Sequence, residues 1–357
     1  MLTCDWWISF VTRKPELPPY SLPSENRAAV LVRRAEGIPQ ASDFELTSGQ
    51  ITEPGDCQFL VRNLYLSVDP AQRGWAADVA NYSTPVPLGS PMRALAVGVV
   101  LSSNCDGVAK GDVLYGWFGW QQYCVGGPGD ILLRGHYDVP LTAYLGLLGI
   151  NGLTAYLALT GIGRPCSGDT LLVSTAAGAV GSFVGQIGKL LGCTTVGLTG
   201  SDGKVARCKQ SYRYDAAINY KDRDWEEQLR QVLSAGANIY FDNTGGHILD
   251  VALRQMTTGS RVVQCGTAAI SSWNPPPQGP RNEREILTRR LQWGGFVIFD
   301  HLESFPEAAA KLTQWHRDGS ITYDEDISVG LDRAPGAIAE IYAGANTGKK
   351  IIDITGP

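Results

Sequence analysis

The chain has 357 residues, a net charge of −5, 44% hydrophobic residues and 18% charged ones. That length favours two domains, each large enough to bury its own core. The mild acidity gives no footprint for a nucleic-acid or anionic-membrane partner, and the composition is globular. No apolar run reaches the about 18 residues of a membrane span. The first residues carry an acid and a short apolar patch, unlike a secretory leader. Eight cysteines show no C-x-x-C and no regular spacing, which reads as reduced thiols of a cytoplasmic protein.

Residues 1–25, ending in the Pro-rich stretch Pro15 to Pro23, read as a tail. From Asn26 to about Ala143 the chain is strand-like in short runs: Arg27 to Arg33, Gln58 to Ser67, Ala94 to Ser102, Gly111 to Gly116 and Trp120 to Val125. Such spacing suggests a small irregular barrel. Beyond Leu141 the pattern changes. Helical stretches, Ala143 to Leu148 and Gly152 to Leu159, lead into alternating strands and helices. Strands are expected at Thr170 to Thr175, Thr194 to Thr199, Ala216 to Tyr220, Asn238 to Asp242 and Arg261 to Gly266. Helices are expected over Val180 to Leu191, Trp225 to Leu233 and Ile248 to Gln255. This alternation is the signature of a doubly wound parallel sheet, so the fold class is α/β. The segment Ser271 to Asn282, with its prolines, fits neither helix nor central strand. Phe296 to Phe299 reads as a strand, Pro306 to Arg317 as a helix, and the remainder as strands and loops ending in Lys350 to Ile354.

Within this alternation the stretch Leu171-Leu-Val-Ser-Thr-Ala-Ala-Gly-Ala-Val-Gly181 runs strand, small-residue turn, helix. That is the context of a dinucleotide fingerprint, because free amides at a helix start hold a pyrophosphate. Ala176 stands where the first Gly of G-x-G-x-x-G is expected; Gly178, Val180 and Gly181 follow. The next strand ends about 20 residues later, where the adenosine ribose belongs. It runs into Gly200-Ser201-Asp202-Gly203-Lys204. Gly200 leaves space for a 2′-phosphate and Lys204 offers it a charge, which favours NADPH. Asp202 on the same turn is the rival reading and favours NAD.

Nine short elements in order resemble the zinc-independent branch of the medium-chain dehydrogenase/reductase superfamily, the prostaglandin, plant double-bond and curcumin reductases. They are Leu64-Tyr-Leu-Ser-Val-Asp-Pro70 with Arg73-Gly74; Gly119-Trp-Gln-Gln-Tyr123; Gly152-Leu-Thr-Ala-Tyr156; Ala176 to Ser182; Gly200-Ser-Asp with Lys204; Asn219-Tyr-Lys221; Phe241-Asp-Asn-Thr-Gly-Gly246; Cys265-Gly266; and Asn346-Thr-Gly-Lys349. The resemblance implies a GroES-like catalytic domain over residues 26–143 and 315–357, a Rossmann domain over residues 144–314, NADPH, and a homodimer. It implies that Gly178, Val180 and Gly181 meet the pyrophosphate, that Lys204 and Tyr220 meet the 2′-phosphate, and that Asn243, Cys265, Phe296, Val297 and Asn346 line the rest of the cofactor.

The superfamily's alcohol dehydrogenases carry a Cys-Gly-x-Asp-x-His element where this chain has Asp69-Pro-Ala-Gln-Arg73. The four histidines, His136, His247, His301 and His316, have no metal-ligand spacing, so no zinc site is expected. Without a Lewis acid, hydride addition to an isolated carbonyl leaves an unsupported alkoxide. A conjugated enone spreads the charge into an enolate that a few hydrogen-bond donors stabilise. The expected substrate is therefore an α,β-unsaturated ketone or aldehyde. Candidates for the group that meets the enolate are Tyr65, Tyr82 and Trp273. The last stands in Ile270-Ser-Ser-Trp-Asn274, where the family often has Tyr, and its indole donates without being a proton source. A quinone-type reductase and a non-catalytic NADPH-binding protein remain the alternatives.

Overall fold

The computed structural model describes residues 25–78, 82–135, 139–270, 275 and 277–356. The expected tail is thus outside the described residues except for Glu25, which opens a strand rather than closing a tail.

The front of the chain is a β-rich unit. Strands β1 (Glu25–Leu31) and β2 (Phe44–Gln50) form an antiparallel ribbon. Then come β3 (Phe59–Ser67), the short helix α1 (Ala71–Ala76), β4 (Ala96–Ser103), β5 (Val113–Gly116), β6 (Tyr123–Gly126) and β7 (Ile131–Arg134). Helix α2 (Ile150–Ala158), extended by a π-helical turn over Leu159–Gly163, leads into the second unit. There β8 (Thr170–Ser174), α3 (Gly181–Leu190), β9 (Thr194–Thr199), α4 (Asp202–Gln210), β10 (Ala216–Asn219), α5 (Trp225–Val232), β11 (Ala237–Asp242), α6 (Gly246–Leu253), β12 (Met256–Gln264), α7 (Glu283–Arg289) and β13 (Gln292–Gly295) alternate. Helix α8 (Phe305–Arg317) is followed by β14 (Glu325–Val329), α9 (Ala334–Ala343) and β15 (Lys349–Asp353).

The second unit is a six-stranded sheet in the order β10-β9-β8-β11-β12-β13, parallel at every pairing. Counted from β8, this is the 3-2-1-4-5-6 order of a doubly wound fold, which reverses direction between its first and fourth strands. The Leu-Leu-Val run of β8 explains its central place. Leu171 and Val173 face one apolar cluster and Leu172 faces another, so both sheet faces are covered. The front unit's sheet runs β14-β15-β3-β4-β5-β7, with β6 also on β3. The end of the chain returns there, with Ile351 opposite Ser67 and Asp353 opposite Tyr65. One cluster joins the two units, taking Val97 and Tyr115 from the front, Leu153 from α2, Val173 from the parallel sheet, and Phe183 and Ile187 from α3. Each such side chain contributes about 1.5–3 kcal/mol by leaving water.

Two expectations need correction. Phe296 to Phe299 is not the last strand. The pairing to β12 is made by Gln292 to Gly295, and the chain bends into a 3₁₀ helix over Ile298–Ser304. A short apolar run is buried either as a strand or just after one, and here Phe296 and Ile298 are buried beyond the strand end. The segment after residue 317 also holds a helix, α9, whose Pro335 sits in its first turn and whose Gly344 ends it at φ +72°. Strands β2 and β7 and helices α1, α4 and α7 carry too weak a periodicity to be read. Among the described residues no helix is long and apolar enough to cross a membrane.

Candidate active site

Ligands of doubly wound sheets gather where the strand order reverses, here between the C-terminal ends of β8 and β11. The amide of Asn243 donates to Ser174 Oγ and its side-chain Nδ2 to Ser174 O, both at 2.8 Å. Behind it Asp242 is fully buried. Its carboxylate accepts from the Tyr240 hydroxyl and Gln264 Nε2 at 2.8 Å, from Ser174 Oγ at 3.1 Å, and from the amides of Thr244 and Gly245 at 2.9 and 3.0 Å. These bonds fix the turn that presents Asn243. The neighbouring Cys265 thiol is pushed up to about 12 by burial and then by the Asp242 charge, so it stays protonated at neutral pH.

The turn from β8 into α3 is tight. Thr175 holds φ +53°, a left-handed conformation that costs a β-branched residue about 1–3 kcal/mol. Its carbonyl accepts from Gly178 N at 2.8 Å, and Ala176 N donates to Leu198 O at 2.9 Å. A Cβ at Gly181 would lie 2.3 Å from Thr175 O, so the helix start requires glycine there. No side chain caps α3, and among the described residues the amides of Val180 and Gly181 have no protein acceptor. Open amides at a helix start are a geometry suited to an anion.

At the ends of β9 and β10 a second cradle forms. A Cβ on Gly200 would lie 2.8 Å from the Tyr220 hydroxyl and 3.5 Å from Lys221 Cε, which places those three residues together. Lys204 Nζ donates to Gly344 O at 2.8 Å, reaching across to the end of α9. Its ammonium is held below the ordinary lysine value by burial and by the Lys221 charge, as two like charges beside one cleft require. Asp202 is turned instead to Asn219, whose Nδ2 donates to it at 3.0 Å.

On the front unit, Asp69 and Lys349 form a buried ion pair, with Nζ 2.6 Å from Oδ1; Nζ also donates to Val68 O at 2.7 Å. Ser67 donates its hydroxyl to the other carboxylate oxygen. Burial pulls the Lys349 ammonium down while Asp69 opposes it. Four residues on, Arg73 donates to Ile270 O across the crevice, its guanidinium 5.4 Å from the Tyr342 ring centre. A cavity of about 630 Å³ opens here, walled by Trp75, Tyr82, Arg93, Trp117, Phe299 and Leu302 among others. Tyr82 is 54% exposed as a residue. Burial raises its phenol, opposed by the neighbouring Trp75 and aided by Tyr342, Asp69 and Cys265. The indole Nε1–H of Trp75 is buried and meets no well-formed acceptor among the described residues.

Residues 27–132 match the family described as the N-terminal domain of oxidoreductase, and residues 179–314 match the zinc-binding dehydrogenase family. The chain is 35% identical to the NADPH-dependent curcumin reductase of Escherichia coli, over 93% of this chain and 97% of that protein. It is likewise 35% identical to the NADP⁺-dependent 2-alkenal reductase of Nicotiana tabacum, over 92% of this chain and 98% of that one. The crystal structure of CurA in complex with NADPH from Vibrio vulnificus has a TM-score of 0.87 at 37% identity, covering 93% of this chain and 100% of that one. The chain belongs to the medium-chain dehydrogenase/reductase family.

In this dehydrogenase/reductase the expected site residues fall into groups. Ala176, Gly178, Val180, Gly181, Asn243 and Cys265 cluster at the ends of the central strands. Gly200 and Tyr220 meet beside Lys221, while Lys204, near enough to feel the Lys221 charge, is bonded to Gly344 O. Phe296 and Val297 follow β13, with Phe296 stacked on His301 at 4.6 Å. Asn346 closes its own turn, donating from Nδ2 to Gly348 O at 2.7 Å. Tyr65 is half-buried on β3 against the shared core, outside the walls of the cavity that Tyr82 lines. Trp273 lies outside the described residues. Asp242, Lys221 and the Asp69–Lys349 pair were not singled out for these roles by the sequence. All four lie inside the family-like elements, and the pair joins two of those elements far apart in the chain. Among the described residues no group of three His, Cys, Asp or Glu side chains is placed to hold a metal.

Proposed function

We propose that this chain is an NADPH-dependent ene-reductase that adds hydride to the β-carbon of an α,β-unsaturated ketone or aldehyde without a metal. The carrying observation is the donor set beside the crevice. At the position where zinc enzymes of the family have ligands, the Asp69 carboxylate is already neutralised by Lys349, and the cavity offers the Tyr82 phenol instead. That set does not fit zinc, which takes four N, S or O ligands. It suits an enolate, whose spread charge needs hydrogen bonds only. The names of the curcumin and alkenal reductases above point the same way.

When bound, NADPH supplies the hydride. The amides of Val180 and Gly181 meet its pyrophosphate, and Lys204, Lys221 and Tyr220 hold its 2′-phosphate. Asn243, Cys265, Phe296 and Val297 wall the crevice that orients the acceptor against it. Tyr82 donates its hydroxyl to the enolate oxygen, and the α-carbon takes its proton from solvent. A homodimer in the cytoplasm completes the reading, with light scattering on the eluted protein as the check of assembly.

The test is loss of NADPH absorbance with an enal, a linear enone, an aryl enone, a quinone and a saturated ketone, with NADH in parallel. Turnover of the enal and enones with NADPH, and none of the ketone, supports ene-reduction. Turnover of the quinone alone transfers the assignment to a quinone-type reductase. NADPH binding without turnover of any acceptor leaves a binding protein.

A further inference from the structure

Two of the eight cysteines, 48 positions apart in the sequence, meet in the fold. The antiparallel register of β3 on β4 sets Phe59 opposite Ser103. Two further bonds continue it outward, from Asn104 N to Gln58 O at 2.8 Å and from Cys57 N to Asn104 O at 3.2 Å. The next facing pair is Cys57 and Cys105, and their sulfurs lie 3.3 Å apart. Cys57 is exposed and Cys105 buried. Cys57 also holds φ +55°, a conformation rarely kept by a non-glycine residue unless its surroundings impose it. We propose that Cys57 and Cys105 are a site of oxidative modification that closes to an intramolecular disulfide.

The chemistry needs an oxidant, and a hydroperoxide serves. The thiolate of Cys57, the sulfur that solvent reaches, attacks a peroxide oxygen. An S–O bond forms, the O–O bond breaks, and hydroxide leaves to take up a proton as water. The Cys105 thiolate then attacks the sulfenic sulfur; the S–S bond forms, the S–O bond breaks, and a second water leaves. Two thiols lose two electrons and two protons, and one hydrogen peroxide becomes two waters. The bond needs little backbone movement, because the sulfurs are already in contact.

The closed loop would hold all of β3, α1, the Tyr82 segment and β4 between its ends. Closing it restricts the unfolded chain, so oxidation raises the midpoint of thermal unfolding by several degrees. The pair sits at the opposite end of β3 from Asp69, roughly 30 Å away along the strand. The modification therefore stabilises the front unit without entering the crevice.

The experiment takes the reduced full-length protein, adds hydrogen peroxide in slight excess, blocks free thiols and maps peptides by mass spectrometry. A peptide pair joined through Cys57 and Cys105, lost on treatment with dithiothreitol and lost in Cys57→Ser, supports the assignment. The same oxidation should raise the unfolding midpoint of the unsubstituted protein and leave that of Cys57→Ser unmoved. Cys57 and Cys105 both recovered with blocked thiols while another cysteine is oxidised would overturn it. Cys57 recovered as a sulfinic acid with no linked peptide would overturn it as well.

Discussion

Around the ends of β8 and β9 the site is made chiefly by backbone: the strained Thr175 turn, the open amides of Val180 and Gly181, and glycines at which a Cβ would collide. Around Asp69 it is made by side chains drawn from distant parts of the chain, with Asp69 bonded to Lys349 and Arg73 bonded to Ile270. The backbone turn after β8 should tolerate changes of charge and fail on added volume. The side-chain cluster responds in the opposite way, because a buried carboxylate whose partner is removed has nothing to replace it.

Lys349→Met gives the sharpest form of this contrast. It leaves Asp69 as an unpaired buried charge and should lower stability by about 3–5 kcal/mol in urea unfolding. Combining it with Asp69→Leu should recover much of the loss, since both charges then go. Equal losses in the single and double variants would show that packing of the lysine stem, and not the pair, holds β15 to the Val68–Asp69 segment.

The same contrast explains what the sequence disclosed. Strand β8, its turn and α3 are contiguous, so the apolar run, the small residues and the helical period stand side by side and disclose a strand, a turn and a helix. The place of Asn243 was legible for a similar reason, directly after an expected strand, whereas Cys265 fell inside the expected strand Arg261 to Gly266 and was singled out only by the resemblance. Asp69 in a Val-Asp-Pro turn and Lys349 before an Ile-Ile strand look like surface charges until β15 is laid against β3. Their partnership is a product of topology. Phe296 to Phe299 misled because an apolar run records burial without recording backbone shape. Cys57 and Cys105 were opaque because only the register of β3 on β4 makes them neighbours.

Lys204→Ala should come next in size. Losing a charge-assisted contact to phosphate costs about 1.5–3 kcal/mol, so KM for NADPH should rise roughly tenfold to a hundredfold with NADH little affected. Lys221→Ala should act in the same direction. An equal rise for both cofactors would remove Lys204 from the phosphate cradle and return weight to Asp202.

Glycine substitutions separate the cradle from ordinary helix positions. Gly181→Ala puts a methyl 2.3 Å from Thr175 O, which should cost about 1–3 kcal/mol and weaken NADPH binding as the turn opens. Gly203→Ala, in α4 with nothing within 4 Å of the added carbon, should gain up to about 1 kcal/mol. Thermal unfolding with and without NADPH distinguishes the two. A Gly181→Ala protein with unchanged NADPH-induced stabilisation would break the idea that the turn is the pyrophosphate cradle.

The smallest effect tests which hydroxyl serves the acceptor. Tyr82 lines the cavity, whereas Tyr65 lies against the shared core. A neutral hydrogen bond contributes about 0.5–1.5 kcal/mol, so Tyr82→Phe should lower kcat for an enone by roughly three- to tenfold with KM for NADPH unchanged. Burial holds the Tyr82 hydroxyl above its ordinary value, so kcat should stay level through neutral pH and into mild alkali. Loss of kcat in Tyr65→Phe with none in Tyr82→Phe would move the enolate contact onto β3. The buried ion pair beside it would then become part of the acceptor pocket instead of its support.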